Sequence, residues 1–297
     1  MTQTLSQQEI KDLLRGITIP SPPQVIADLQ MEMAMPDPDI NEIAKFISND
    51  AGLAGSVLKL VNSSFYGDRE KVTSISKAVL LLGLDTIVDT VNTICLKKSF
   101  MDSDTVSDNL YATMIRFWDS ATDIARVCSM VGTRLHLSPL DNVYSLGLFH
   151  NVGISLMVSK HDNYLDTMRR SYGQDKDRII DIENEEYGTN HAVLSYYAAR
   201  TWKLNQNLCD LIAQHHNPNM FLDKDFLENN DIKILSVLKI SEHIVGLYRI
   251  LGNETQDKEW DLISQNVLLA AGLSEYELDD LIYQAKDSGY GQQQYFN

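Results

Sequence analysis

Helix punctuation recurs along the whole of this 297-residue chain, while the alternation that marks half-buried strands is almost absent. Ser6 and Glu9 have the spacing of a capping box, Leu5 and Ile10 that of a hydrophobic staple, and Gly16 stands where the helix would stop. Ser21-Pro22 predicts a second helix with Pro at its first position, ended by Met35 before Pro36. Asp39 to Glu42 opens a third, Asp50 a fourth that runs through Val57 to Asn62, and Ser74 to Gly83 a fifth. From Leu84 onward, apolar residues at 84, 87, 88, 91, 94 and 95 form the stripe of a sixth helix packed on one face.

Met101 to Asp108 is polar and aperiodic, which makes it the natural boundary between two halves, residues 1–105 and 106–297. Beyond it the pattern predicts a long helix over about 109–131 with Gly132 after it, and another that starts at Ser138-Pro139 and carries His150. Further helices are expected around 162–172, 176–187, 190–203, 206–216, 231–251, 258–271 and 275–287, the last opened by a second capping box, Ser274 to Glu277. No 34- to 47-residue repeat emerges, so the chain is not read as a solenoid. The expected fold class is all-α, in two helical lobes.

Composition narrows function by exclusion. Apolar residues make up 44% of the chain, which rules out a disordered or fibrous protein. With 25 Lys and Arg against 41 Asp and Glu, the net charge of -16 disfavours binding to nucleic acid or to an anionic membrane, since both are polyanions. The opening residues Met1 to Ile10 lack the basic segment and apolar run of a signal peptide, and the longest apolar stretch, Ala78 to Leu84, is too short to span a bilayer. Cys95, Cys128 and Cys209 are widely spaced and form no Cys-x-x-Cys pair, so they read as small buried hydrophobes in a reduced, cytoplasmic setting.

Three stretches together carry a family resemblance: Ile19 to Gly67, with its proline-rich entry, the Asp50 segment and the loop Asn62-Ser63-Ser64-Phe65-Tyr66-Gly67; Ile75 to Ile87, with its Leu-Gly-Leu turn; and Phe117 to Ala125, with Leu148-Phe149-His150-Asn151-Val152-Gly153 behind it. In this order they resemble the HDOD family, the HD-related output domain of bacterial signalling proteins, over roughly residues 17–216. The resemblance implies an all-helical fold of two lobes, the second a degenerate form of the HD phosphohydrolase fold. It also implies a regulator rather than a catalyst, one that acts on signalling partners such as a histidine kinase or a cyclic-di-GMP enzyme.

An HD hydrolase holds one or two divalent metals on His, His-Asp and a distal Asp, and the metal acidifies a bound water. Matched by that resemblance, the first histidine falls on Asp119, the His-Asp pair on His150-Asn151, the additional histidines on His191 and His215, and the closing aspartate on Glu242. Asn151 matters most, because an amide offers only a neutral oxygen where a carboxylate offers an anionic, bridging one. The expectation is therefore a vestigial metal site with no catalytic residue and no cofactor beyond a weakly held divalent ion. The competing reading is a metal-dependent phosphohydrolase of a nucleotide or phosphate ester. Phe117, Trp118, Tyr196, Tyr197 and Trp202 are expected in the core, the loop after Asn62 as a helix stop with an aromatic plug, and the acidic run Asp181 to Glu186 as a solvated helix face.

Overall fold

The computed structural model describes residues 14, 16–62, 72–101, 108–138, 140–174, 178–222 and 230–291. The capping box at Ser6–Glu9, most of the loop after Asn62, the boundary segment 102–107 and the end of the tail lie outside them. Among the described residues all regular structure is helical, and the all-α expectation holds. The chain separates into two compact units, Pro20–Asp102 and a larger one in which Ser103–Asn297 is joined by the residues before Pro20.

The smaller unit contains α1 (Gln24–Met33), α2 (Ile40–Ser48), α3 (Ala51–Val61), α4 (Ile75–Leu82) and α5 (Leu84–Met101). The caps come from the residues that the sequence marks. Asp39 accepts from the amide of Asn41 at 2.7 Å, Asp50 from those of Gly52 and Leu53 at 2.9 and 3.0 Å, and Ser74 from that of Lys77 at 3.2 Å. The first helix begins later than Ser21-Pro22 suggests. Pro22 precedes another proline, which pushes it out of the helical region, and Pro23 remains extended at φ -59°, ψ 152°. On α5, Ile87, Val91, Cys95 and Leu96 are buried against α1, α3 and α4, while Leu84, Val88 and Ile94 sit half-buried at the stripe's edge.

In the larger unit, α6 (Asp108–Arg134) is the longest helix and packs along α7 (Leu140–Phe149) and α14 (Asn230–Val245). It runs through Gly132 rather than stopping there. A Cβ at Gly132 would stand 3.0 Å from Val143 Cγ2, so this glycine is a close-packing position and not a terminator. Phe117 and Trp118 on α6 are buried and meet edge to face at 5.6 Å between centroids. Trp202 is also buried, whereas Tyr196 and Tyr197 are half-buried. Between α7 and α14 lie α8 (Val152–Lys160), α9 (Tyr164–Gly173), α10 (Asp181–Tyr187), α11 (His191–Thr201), α12 (Gln206–Gln214) and the short α13 (Asn219–Leu222). The expected helix over 231–251 is two, because Gly246 adopts φ 79° and divides α14 from α15 (Leu247–Gly252). The unit ends with α16 (Lys258–Ala271) and α17 (Glu275–Asp287), the latter opened by the Ser274–Glu277 capping box. All three cysteines are buried free thiols. No single helix among the described residues is long and apolar enough to cross a membrane.

Candidate functional site

The larger unit gathers four histidines in its interior. His150 and Asn151 occupy the break between α7 and α8; His191 begins α11; His215 and His216 follow the end of α12. All four imidazoles are 0 or 1% exposed. Gly153 makes this arrangement possible, because a Cβ there would collide with the carbonyl oxygen of His191 and lie 2.8 Å from Ser195 N. The backbone of α8 thus touches that of α11, and the amide of Gly153 donates to Ser195 Oγ at 2.8 Å.

Each imidazole is held by its Nδ1, and each time by an atom that can only accept. Nδ1 of His150 donates to Gly147 O at 2.8 Å, that of His215 to Ile212 O at 2.7 Å, that of His191 to Glu183 Oε2 at 2.6 Å and that of His216 to Glu259 Oε1 at 2.9 Å. With Nδ1 so engaged, the Nε2 atoms of all four rings face inward. The Nε2 atoms of His191 and His216 lie 3.1 Å apart, and ring atoms of His191, His215 and His216 come within 4.8 Å of one another. Burial first, then the neighbouring cationic groups, push His215 and His216 well below the usual histidine range, so both are neutral near pH 7.

Carboxylates and one ammonium complete the cluster. Glu183 accepts from Tyr164 Oη at 2.6 Å and from the backbone of His191 at 3.0 Å, besides His191 Nδ1. Lys239, on α14, places Nζ 2.9 Å from both Glu242 Oε2 and Glu259 Oε2 and is 3% exposed. Burial opposes its charge, but the two carboxylates outweigh burial and hold Lys239 above the usual lysine range. Burial likewise opposes ionisation of Glu242, yet Lys239 and His150 outweigh it and hold that carboxyl well below its usual range. Glu259 is shifted upward, by burial first and by repulsion from Glu242. Glu242 Oε1 lies 3.2 Å from His150 Nε2, but the two are not aligned as a hydrogen bond.

The structure brings together five of the six residues matched to a metal site: His150, Asn151, His191, His215 and Glu242. Asp119 is not among them. It lies on the exposed side of α6, while its neighbours Ser120 and Asp123 turn inward. The acidic run is likewise not a uniformly solvated face: Glu185 and Glu186 are exposed, but Glu183 is wholly buried beneath them. Its partners Tyr164 and His191 lie on two other helices, and nothing in the local pattern of charges marks it. Lys239 and Glu259 were missed for the same reason. A lysine amid apolar residues, Val237-Leu238-Lys239-Ile240, was the one available signal.

The donors do not fit a two-metal centre. The position of the bridging carboxylate is Asn151, whose Oδ1 lies 3.2 Å from His215 Nε2. An amide oxygen is neutral, where an aspartate would offer an anionic oxygen able to bridge two ions. Glu242 already faces an ammonium. Three imidazoles remain as donors for a single ion at most.

The chain resembles known proteins over most of its length. It is 24% identical over 201 residues to an uncharacterised protein of Treponema pallidum (strain Nichols), covering 67% of this chain but only 38% of that relative's length. Among solved structures it resembles an HDOD domain protein of unknown function from Geobacter sulfurreducens (TM-score 0.69, 22% identity, 95% of each chain). It also resembles a protein from Shewanella amazonensis SB2B provisionally described as a phosphohydrolase (TM-score 0.65, 20% identity, 93% of each chain). A third, from Marinobacter aquaeolei VT8, is provisionally described as a signal transduction protein (TM-score 0.65, 16% identity, 95% of this chain and 63% of that one). At these identities the structures establish the shared fold alone. The HDOD domain model matches residues 19–218, two thirds of the chain, and the protein belongs to the HDOD domain family.

Proposed function

We propose that this chain is a non-enzymatic signal-transduction module that acts by binding partner proteins, of the kind found in two-component or cyclic-di-GMP pathways. The observation that carries the non-enzymatic part is access. The crevice reaching Lys239, Glu242 and Glu259, lined also by Tyr172, Tyr248 and Trp260, has a volume of about 20 Å³. That is room for one water and not for a phosphate ester. The histidines behind it are sealed, and the position that would supply a bridging anion is a neutral amide.

Support for a binding role comes from the surface. Leu262 and Leu269, one heptad apart on α16, are 62 and 64% exposed, and Tyr276 and Tyr283, one heptad apart on α17, are 85 and 74% exposed. Such residues give a helical partner an apolar footing. The family and the signalling descriptions of its structural relatives point the same way.

The convergent Nε2 lone pairs favour the second reading, a metal-dependent phosphohydrolase of a nucleotide or phosphate ester. One assay separates the two. The purified chain with Mg²⁺ or Mn²⁺ should release no phosphate from nucleotides, generic phosphodiesters or cyclic dinucleotides. Sustained turnover that His150→Ala abolishes would establish the enzyme instead. Binding is tested by affinity capture from the native cell with the parent and with Leu269→Ser/Tyr276→Ser; a partner retained equally by both would remove the assigned surface.

A further inference from the structure

We propose that the ammonium of Lys239 is the resident cation of the histidine cluster, taking the electrostatic place that a divalent metal would otherwise fill. This rests on the family reading of the site and goes beyond it by naming the group that makes the cluster metal-independent.

Three carboxylates border the cluster, and their compensation differs. Glu183 receives three donors and sits against the first turn of α11, where backbone amides and the helix dipole favour negative charge. Glu259 lies in the first turn of its own helix, α16, and Glu242, in the last turn of α14, has no such support. Each turns one oxygen to Lys239 Nζ at 2.9 Å, and each turns its other oxygen to an imidazole, Glu242 to His150 and Glu259 to His216. A cation between two carboxylates, Glu242 buried and Glu259 half-buried, which in turn border the histidines, is the layout of a metal site with an ammonium in place of the ion. Buried charges persist only when paired, and Lys239 offsets the negative charge of both carboxylates.

The rings of His150 and His215 are oriented at Nδ1 by backbone carbonyls, and Asn151 Oδ1 lies 3.2 Å from His215 Nε2, while Nε2 of His150 makes no hydrogen bond. The Nε2 atoms of His191 and His216 lie 3.1 Å apart, and Glu183 Oε2 lies 2.6 Å from His191 Nδ1.

The test is metal binding, which needs no catalytic readout. The full chain and its Lys239→Met variant are stripped with chelator and titrated with Zn²⁺ or Mn²⁺ alone at pH 7.5, followed by calorimetry and by thermal unfolding. The parent is expected to bind no stoichiometric ion and to melt at the same temperature with metal or with chelator. Lys239→Met, with two carboxylates and the inward Nε2 atoms left without their cation, is expected to bind one ion per chain at least 100-fold more tightly than the parent, and chelator should reverse the effect. Should the variant unfold in chelator, refolding on addition of Zn²⁺ or Mn²⁺ supports the proposal. A variant that stays unfolded with metal counts against it, as does a folded variant that binds metal no better than the parent. Stoichiometric binding by the parent, with Lys239 in place, would overturn it outright. Phosphate-ester hydrolysis by the parent would sink the non-enzymatic reading and leave these titrations as they stand, so the two failures are distinguishable.

Discussion

Replacing Glu183 by Ala would strip a wholly buried residue whose carboxylate accepts three hydrogen bonds: from Tyr164 Oη at 2.6 Å, from His191 N at 3.0 Å and from His191 Nδ1 at 2.6 Å. All three donors are themselves buried, and none has a water-facing alternative. Each orphaned donor costs about 1–3 kcal/mol, but the three are coupled through one carboxylate and their sum overstates the loss. An expected destabilisation of about 3–5 kcal/mol follows, near the top of the range for single substitutions. At about 2–4 °C per kcal/mol for a chain of this size, thermal unfolding monitored at 222 nm should fall by roughly 10 °C. Glu183→Gln should recover only part of the loss, because its amide NH2 would oppose one of the donors. Glu185→Ala, on the exposed side of the same short helix, is the control and should lie within about 0.5 kcal/mol of the parent. If Glu183→Ala and Glu185→Ala melt alike, the acidic run is a solvated face after all and Glu183 does not anchor the cluster.

Gly153→Ala should be severely destabilising, by roughly 3 kcal/mol or more, since its Cβ would occupy the space of the His191 carbonyl and force α8 from α11; a variant that melts within a degree or two of the parent would contradict that contact. Val91→Asp places a charge at a wholly buried position of α5 and should cost on the order of 3 kcal/mol or more in urea unfolding, while an unchanged midpoint would show the stripe misassigned. Stability should also fall on mild acidification. His215 and His216 have folded pKa values depressed below the unfolded value near 6.5, so below that pH the unfolded chain binds more protons than the folded one. The stabilisation they retain at pH 7.5 is thus lost as pH drops, by up to about 2.7 kcal/mol per pH unit for two histidines, and a melting temperature that is flat between pH 7.5 and 5.5 would refute their neutrality.

Local chemistry wrote much of this molecule where it could be read. Asp39, Asp50, Ser74 and Ser274 mark helix starts by a mechanism confined to three or four residues, and each does cap a helix in the structure. The 3.6-residue period of α5 is equally local, and its buried stripe follows from it. Errors arose where a residue's role depends on what approaches from elsewhere. Gly132 and Gly246 look alike in sequence; one admits α7 against α6, and the other takes a left-handed φ that ends α14.

The sequence by itself determined the all-α class, most helix starts, the family and the five buried residues, from His150 to Glu242, that its motifs share with a metal site. Only the tertiary structure decided what that site contains. Asp119 faces outward, whereas Glu183, Lys239 and Glu259, from three different helices, turn in among the histidines. The physical reason is that an isolated charge carries the same local signature whether solvated or buried. Its fate is set by the partners that come within 3 Å on folding, and for Lys239 those partners are a carboxylate one turn along its own helix and another 20 residues away.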